Sequence, residues 1–379
     1  MPRRLSPILP LLVLPALIAT AVLSGCNKAP DRPATLSPAA LAAVIAEPGA
    51  PREPLARAVD ALFTDPAAAE TRAVMVLYGG QIVAERYGPG YGPSTRFISW
   101  SMAKTITGVM IGMLVSDGRL RLDQTAPVPA WQRSGDPRGE ITLRQLLQMR
   151  SGLRHTESGD PIYTSDEVRM LFLDGRDDMA AYAEAQPLEA EPGRKFEYSS
   201  NTSVILADLA ARALTESKDP ALRRQAVSDY LRTRLFEPLV MRSMVPEFDA
   251  AGTLIGGSLI HGTARDWARF GEFLRNGGSV KGAQIIPRGW IEFMEQPSPR
   301  NRGYGAQLWL NHPQPDGHGV LFPTRGPSDL VSCIGHLGQY VMVSSSEKLT
   351  VVRLGKSGSD ERSTAVAHMA DIFALYRGG

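Results

Sequence analysis

Residues 97–104 read FISWSMAK, and the last four, from Ser101 to Lys104, form an S-x-x-K tetrad. Apolar residues continue at helical spacing after the tetrad, so the sequence predicts a helix from Ser101 to Asp117 that ends at Gly118. Because residues three apart share a helix face, the amine of Lys104 can reach the hydroxyl of Ser101. The free N–H groups at the start of a helix would also favour an oxyanion forming beside Ser101.

The tetrad suggests a nucleophile and its activating base. A serine hydroxyl becomes a good nucleophile only when a neighbour accepts its proton, and a lysine can do so only if its own pKa is lowered. Ser101 would then be the nucleophile and Lys104 the base. A four-residue pattern also occurs by chance, and a capping serine followed by a solvated lysine is the alternative. The tetrad alone leaves both interpretations open.

Two later segments carry further candidate site residues. Tyr198 and Ser200 precede a predicted helix, and a phenol beside an ammonium can act as a base or proton shuttle. The triplet His-Leu-Gly at 336–338 precedes the predicted strand Gln339–Val343, from which a backbone N–H could bind an oxyanion. Taken separately, Tyr198 can equally be a core tyrosine, and His336 a structural histidine.

In this order, the three motifs resemble the β-lactamase-related serine hydrolases. That superfamily includes class C β-lactamases, D-alanyl-D-alanine carboxypeptidases, family VIII esterases and 6-aminohexanoate-dimer hydrolases. The resemblance covers roughly residues 70–376, including ITLRQLLQMRSGL at 141–153 and GTARDWARFG at 262–271. It implies that Ser101 is acylated, that Lys104 and Tyr198 transfer protons, and that water then releases the acyl group.

The resemblance also implies a substrate-binding and oxyanion set. Its members are Ser200, His336, Gly338 and Gln339, with the backbone N–H groups of Ser101 and of a residue in 338–340 as oxyanion donors. Two residues depart from class C β-lactamases, which have Asn at the position of Ser200 and Lys at the position of His336. A mostly neutral histidine would hold a substrate carboxylate weakly near pH 7.

These departures favour hydrolysis of a small ester or amide. The alternatives are a β-lactamase or D-alanyl-D-alanine carboxypeptidase, and a non-catalytic penicillin-binding or sensor protein on the same scaffold. The sequence contains no G-x-S-x-G elbow, Walker A loop, dinucleotide fingerprint or zinc motif, so we expect no cofactor and no metal. A small-molecule substrate is the expected partner, no basic run suggests nucleic acid, and the oligomeric state is left open.

The order of predicted elements indicates an α+β fold. A hairpin is predicted from Ala73–Leu77 and Gln81–Tyr87, and strands return at Ala306–Leu310, Gln339–Val343 and Leu349–Leu354. These elements predict an antiparallel sheet that is built from both chain ends and flanked by helices. A mostly helical region is inserted at roughly 120–250. The resemblance implies that this is the β-lactamase/penicillin-binding-protein-like fold, over residues 56–379.

The first 55 residues suggest an exported lipoprotein. Residues 1–25 combine Arg3 and Arg4 with a short apolar run, which is typical of a signal peptide, and Leu-Ser-Gly-Cys at 23–26 matches a bacterial lipobox. We therefore expect Cys26 to carry lipid and residues 26–55, rich in Pro and Ala, to form a flexible tether. Asn27 favours the outer membrane, with the domain facing the periplasm.

Composition adds little about partners. The formal net charge is +2, and without the two arginines of the signal segment the basic and acidic residues both number 39. Lipidation of Cys26 would leave Cys333 alone, so no intrachain disulfide is expected. Cys333 is either a reactive thiol or a small apolar strand residue. Arg353 is either a substrate-carboxylate anchor or a surface strand residue.

Overall fold

The computed structural model describes residues 35–313 and 320–377. The β-strands within these ranges are β1 Glu70–Tyr78, β2 Gln81–Tyr87, β3 Phe97–Ile98, β4 Val245–Pro246, β5 Ile260–Gly262, β6 Ser279–Val280, β7 Ala283–Gln284, β8 Trp309–Leu310, β9 Val331–Gly335, β10 Gln339–Ser344 and β11 Leu349–Lys356. The α-helices of the same ranges are α1 Pro38–Ala42, α2 Arg52–Thr64, α3 Ala103–Ser116, α4 Leu143–Leu147, α5 Asp166–Phe172, α6 Met179–Glu184, α7 Ser200–Leu214, α8 Pro220–Leu231, α9 Ala264–Arg275, α10 Arg288–Glu295 and α11 Ser359–Ala374.

The main sheet is built from both ends of the described chain. Its strand order is β2-β1-β11-β10-β9-β8, and every neighbouring pair is antiparallel. The hairpin of β1 and β2 turns at Gly79 and Gly80, which both have positive φ, a conformation that glycine adopts without a steric penalty. The α+β fold expected from the sequence is confirmed.

Strand β1 shows how the sheet separates two cores. Its residues are directed alternately to the two faces, as the period of a strand requires. Ala73, Met75 and Leu77 pack into the core that contains α3, whereas Val74 and Val76 pack with α2 and α11 on the opposite face. Full burial of a side chain of this size contributes about 1.5–3 kcal/mol, so both layers hold the sheet in place.

The helical region follows α3, which is buried on every side. All residues from Ala103 to Leu114 are shielded from solvent, as expected for a helix that is apolar all round. α3 packs against α7 and β9, so the start of α3 lies between the helical region and the main sheet. Helices α4 to α8 lie between α3 and β4 in the chain, in agreement with the predicted helical insertion.

The structure corrects the end of the predicted tether. The expected signal segment 1–25 and Cys26 lie outside the described residues, but residues 36–55 fold as part of the same compact unit as the rest of the described chain. Ser37 caps α1, Val44 forms a bridge with Ala84 of β2, and the guanidinium of Arg52 donates to the carbonyl oxygen of Val44. Leu55 is fully buried. Prolines here begin helices, as they can at a first helical turn.

One element is shorter than predicted, and one strand of the main sheet was missed. α4 is short because Met149, two residues after its end, has φ +54°. The predicted strand 306–310 is only β8, because Gln307 has φ +59°. β9 is buried at all five residues and therefore lacks the polar alternation that reveals a strand.

In the described ranges, no helix has the length and apolar character required to span a bilayer.

Candidate active site

Ser101 lies in a tight turn between β3 and α3. The 3-10 turn Trp100–Met102 leads directly into α3, and Trp100 has φ +46°, which is uncommon and strained for a large side chain. Ser99 holds this turn in place: its Oγ accepts a hydrogen bond of 3.1 Å from the amide of Ile260, and its amide donates to the carbonyl oxygen of Ile260 at 3.0 Å. Strain held by buried hydrogen bonds is a common property of catalytic turns.

The ammonium of Lys104 is buried and surrounded by oxygen atoms. Its Nζ donates to Ser101 Oγ at 3.1 Å, to Ser200 Oγ at 2.7 Å and to the carbonyl oxygen of Gly257 at 2.9 Å. The side chain of Lys104 is only 2% exposed. The three acceptors match the three hydrogen atoms of an ammonium group, so the geometry fits the charged form of the lysine.

The pKa of Lys104 moves in the direction opposite to the one that the sequence argument requires. Burial lowers the pKa, but a hydrogen bond with Tyr198 and the negative charges of Glu157 and Glu167 outweigh burial and raise it above its ordinary value. Lys104 therefore rests as an ammonium. Before it can accept a proton from Ser101, it has to release one of its own.

Tyr198 covers the ammonium with its ring. The Lys104 Nζ lies 4.8 Å from the ring centroid, within the range of a cation–π contact. Tyr304 and Trp309 pack against the same ring, with centroids 5.7 and 5.2 Å away. Burial raises the pKa of the Tyr198 phenol, against the opposing effects of the Lys104 charge and a hydrogen bond with Ser101. The phenol is therefore protonated at neutral pH.

Ser200 connects the lysine to two glutamates that sequence reasoning missed. Its Oγ lies 2.7 Å from Glu157 Oε1 and 3.2 Å from Glu167 Oε1, and its amide donates to Glu157 Oε2 at 2.8 Å. His155 Nε2 also contacts Glu157 Oε2, at 2.5 Å. Glu157 lies in the loop after α4, and Glu167 lies in the first turn of α5, where acidic residues are common for helix stability alone. No sequence pattern distinguishes either residue.

The surroundings of the two carboxylates differ, and so do their pKa values. Burial raises the pKa of Glu157, but the Lys104 charge and hydrogen bonds from His155 and Ser200 outweigh it and hold the pKa below its ordinary value. Burial and the nearby negative charge of Glu157 raise the pKa of Glu167 to about 7. Glu157 is thus a fixed anion, whereas Glu167 can take up a proton near neutral pH.

Ser101, Glu157, Glu167 and Tyr198 line a cavity of about 460 Å³. Apolar side chains form much of the wall that the structure describes, namely Ile162, Val168, Leu171, Phe172, Trp309, Val320 and Ile334. Glu157 and Glu167 contribute acidic groups to this wall, and His336 and Arg362 contribute basic ones. The cavity therefore fits a largely apolar ligand that carries some polar groups, with Ser101 in its wall. Over the described ranges, no cluster of His, Cys, Asp and Glu is arranged to hold a metal.

Of the predicted segment 336–339, only His336 belongs to the cavity wall that the structure describes. His336 lines the cavity, but Gly338 lies in the hairpin between β9 and β10 with φ +78°, and the side chain of Gln339 is hydrogen-bonded to both the amide and carbonyl groups of Gly355. Neither Gly338 nor Gln339 forms part of the described cavity wall. Gly335 does: a Cβ there would lie 2.2 Å from the carbonyl oxygen of Ser99.

His336 packs edge-on against Trp100, with ring centroids 5.3 Å apart. Burial and the charge of Arg362 lower the pKa of His336, so the imidazole is neutral at pH 7. His336 thus lies in the cavity wall beside the turn that holds Ser101, and a neutral imidazole there supplies no fixed positive charge.

Arg353 and Cys333 do not face the cavity. The guanidinium of Arg353 is fully buried and donates to the carbonyl oxygen of Gly338 at 2.8 Å and to Ser357 Oγ at 2.6 Å, so it is neither a substrate anchor nor a surface residue. Burial lowers its pKa to about 10, which leaves it charged at neutral pH. Cys333 is buried in β9, and burial raises its thiol pKa to about 12.

Comparisons with known proteins identify a family and a fold. A family model described as Beta-lactamase matches residues 59–375. The 6-aminohexanoate-dimer hydrolase of Paenarthrobacter ureafaciens is 28% identical over 265 residues, which are 65% of this chain and 64%, just under two thirds, of that protein. A candidate 6-aminohexanoate-dimer hydrolase from Bacillus anthracis has a TM-score of 0.63 at 23% identity, over 80% of each chain. A family VIII carboxylesterase has a TM-score of 0.61 at 16% identity, over 86% of this chain and 96% of that one. The two structures share the fold.

Proposed function

Because the chain belongs to the Beta-lactamase family, we propose that it is a serine hydrolase that cleaves a small ester or amide through an acyl-enzyme on Ser101. One observation carries the proposal. Ser101 Oγ lies 3.1 Å from the buried Nζ of Lys104, at the wall of an apolar cavity of about 460 Å³. A serine hydroxyl beside a basic side chain is one arrangement that activates a nucleophile.

In acylation, Ser101 Oγ bonds to the substrate carbonyl carbon, and the bond to the alcohol or amine breaks. The proton of Ser101 ends on the leaving group, with Lys104 and Tyr198 transferring it. A water molecule then attacks the acyl carbon and regenerates the hydroxyl. The charge on the carbonyl oxygen would be stabilised by the amide of Ser101 and an amide of β9 near Gly335. A single donor of this kind contributes roughly 10²–10³ in rate.

The cavity wall supports an ester or amide in preference to a lactam. His336 is neutral at pH 7, so it holds a carboxylate more weakly than a lysine would. A second candidate function is that of a β-lactamase or D-alanyl-D-alanine carboxypeptidase, and one observation favours it. Arg362 lines the same cavity and carries the permanent charge that a lactam carboxylate would need.

Assays of residues 27–379 and their Ser101→Ala variant test the proposal. Short p-nitrophenyl esters and a chromogenic cephalosporin would be compared, with intact-mass detection of any acyl adduct. We expect ester turnover well above lactam turnover, and loss of both in Ser101→Ala. A stable lactam adduct without turnover of either substrate would indicate a penicillin-binding or sensor protein. Undiminished turnover in Ser101→Ala would contradict the assignment of the nucleophile.

His336→Lys tests the specificity argument. A lysine there would supply a cation for a substrate carboxylate, so we expect lactam turnover to rise relative to ester turnover by on the order of tenfold, the equivalent of about 1.4 kcal/mol. An unchanged ratio would show that His336 does not determine the preference.

The proposed location rests on residues 1–26. A diacylated Cys26 would hold the protein at the outer membrane, facing the periplasm, because each buried methylene contributes about 0.8 kcal/mol. Membrane fractionation in a Gram-negative host and intact mass of the extracted protein test this. We expect wild type in the membrane with a lipid mass on Cys26, and Cys26→Ser in the soluble fraction. An unmodified Cys26 would contradict it.

A further inference from the structure

The position of Ser200 between a lysine and two carboxylates suggests a route for protons. Lys104 donates its three hydrogen atoms to Ser101 Oγ, Ser200 Oγ and the carbonyl oxygen of Gly257. Of these acceptors, a carbonyl cannot pass a proton on, and Ser101 is the group whose proton has to be removed. Ser200 is a hydroxyl, which can accept one proton while it donates another.

Ser200 has two carboxylate acceptors for its own hydrogen atom. Glu157 is the closer one, at 2.7 Å, but it already accepts hydrogen bonds from the amide of Ser200 and from His155, and it lies 3.7 Å from the Lys104 charge. These contacts stabilise its anionic form, which makes it a poor proton acceptor. Glu167, at 3.2 Å, lacks these stabilising donors among the contacts that the structure describes.

We propose that Glu167 is the proton acceptor that discharges Lys104 through the hydroxyl of Ser200, so that the neutral lysine can then activate Ser101. This inference rests on the proposed serine mechanism and adds Ser200 and Glu167 to it. We refer to Lys104, Ser200 and Glu167 as the relay. Glu157 is a positioning residue: its carboxylate accepts a hydrogen bond from the Ser200 amide and so holds Ser200 beside Lys104, and its charge disfavours a second anion at Glu167. The hydroxyl hydrogen of Ser200 turns from Glu157 to Glu167 for the transfer.

The proton transfers balance. First, the hydroxyl proton of Ser200 moves to Glu167 Oε1 while a proton of Lys104 moves to Ser200 Oγ, which leaves a neutral amine and a neutral carboxyl. Next, the proton of Ser101 moves to Lys104 Nζ as the Oγ–carbon bond forms. Lys104 then protonates the leaving group, and Glu167 returns its proton through Ser200. The net result is transfer of the Ser101 proton to the leaving group, with every side chain of the relay restored.

The relay predicts a pH dependence. When Glu167 is protonated it cannot accept another proton, so Lys104 stays an ammonium and Ser101 stays inactive. Because the pKa of Glu167 is raised to about 7 by burial and by Glu157, activity should rise with pH through about 7. The charged and titratable groups around Glu167 that bear on this value are Glu157, Lys104, His155, Tyr198 and, along the cavity wall, His336 and Arg362.

The test uses the rate at which a fluorophosphonate labels Ser101 between pH 5 and 10, followed by intact mass, because labelling reports the nucleophile without requiring turnover. In wild type we expect a rise centred near pH 7. In Glu167→Gln we expect labelling at pH 7.5 to fall by roughly 10²-fold, the usual size of a proton-transfer contribution, with the rise displaced to higher pH. Glu167→Asp keeps a carboxyl and should recover part of the rate.

Two further variants separate the relay from a structural role. Ser200→Ala should reproduce the loss seen in Glu167→Gln, and the double variant should be no slower than either single one, since both interrupt the same route. Glu157→Gln removes the charge that raises the pKa of Glu167, so the rise in its remaining activity should move to lower pH.

The possible failures are distinguishable. If wild type is not labelled at Ser101, the proposed nucleophile is wrong, and the relay is wrong with it. If wild type is labelled but Glu167→Gln has the same rate and the same pH profile, only the relay is overturned. Parallel thermal unfolding of each variant shows whether a slow rate reflects loss of fold.

Discussion

Lys104 and Glu157 lie 3.7 Å apart, nitrogen to oxygen, and the hydroxyl of Ser200 bridges them at 2.7 Å from each. The charge pair is largely buried at the lysine, whose side chain is 2% exposed, and more open at the glutamate, at 24%. Removing one partner of a buried pair leaves an uncompensated charge, which destabilises a protein far more than loss of a surface pair does.

Lys104→Met should therefore lower stability as well as activity. We expect a loss of about 2–3 kcal/mol in the free energy of unfolding, below the 3–5 kcal/mol of fully buried pairs because Glu157 is partly solvated. Urea unfolding at pH 7 measures it. Lys195→Met is the matched control: its ammonium pairs with Glu189 and Glu197 but is 47% exposed, so a change under about 1 kcal/mol is expected. Equal stability of Lys104→Met and wild type would contradict the prediction.

Glu167 should destabilise the folded protein as pH rises. Its folded pKa of about 7 exceeds the ordinary value of 4.5, so its stabilising contribution is fully present below pH 4.5 and is lost as pH rises through about 7. Relative to Glu167→Gln, wild type should lose roughly 1–3 kcal/mol of unfolding free energy between pH 5 and 8.

Urea unfolding of both proteins at pH 5, 6, 7 and 8 checks this expectation. Glu167→Asp keeps the carboxyl group and should keep a pH-dependent difference from the glutamine variant. A constant difference between wild type and Glu167→Gln across the range would show that the pKa of Glu167 is not raised in the folded state.

Gly335→Ala should disturb the nucleophile turn. The added Cβ would lie 2.2 Å from the carbonyl oxygen of Ser99, so β9 and the turn before Ser101 would have to separate. We expect a stability loss of about 1–3 kcal/mol, as is usual for overpacking. Misplacement of the reacting groups should also slow Ser101 labelling by roughly 10²-fold.

The control for this variant is Gly92→Ala, because a Cβ at Gly92 meets no atom within 4 Å. It should match wild type in both unfolding and labelling. Normal labelling by Gly335→Ala would mean that β9 does not set the geometry around Ser101.

Arg353→Met should be among the most damaging single changes away from the nucleophile. It would leave the carbonyl oxygen of Gly338 and the hydroxyl oxygens of Ser357 and Thr71 without the guanidinium that now donates to them. Each unsatisfied buried acceptor costs about 1–3 kcal/mol, so we expect a total loss of at least about 3 kcal/mol by urea unfolding. Arg176→Met, at a surface ion pair that is 64% exposed at the arginine, should change stability by less than about 0.5 kcal/mol. Similar values for the two variants would contradict this prediction.

The sequence predicted the parts of the site that depend on local geometry. Ser101 and Lys104 meet because a three-residue spacing on a helix places side chains on one face, a relation that needs no knowledge of the rest of the chain. The α+β fold followed from strand patterns at both ends of the chain. β9 was missed because a fully buried strand has no alternation to detect.

The rest of the site depends on contacts between distant segments. Glu157 and Glu167 reach Ser200 across 43 and 33 residues of sequence, from a loop and from a helix start. The family resemblance implies Gly338 and Gln339 as site residues, as part of the segment that begins at His336. In the folded protein the hairpin turns there, and the residue before the histidine, Gly335, is the one that approaches the nucleophile turn.

The contacts of Arg353 also bear on when the proposed active site is completed during folding. Its guanidinium joins the hairpin after β9 to the carbonyl oxygen of Ala68, 285 residues earlier in the chain. Contacts between such distant segments form slowly, because the intervening chain loses much of its entropy first. The wall beside Ser101 is thus completed only after β11 has been synthesised and has paired with β1. A nascent chain that ends before β11 should therefore be catalytically silent, even if α3 has already formed.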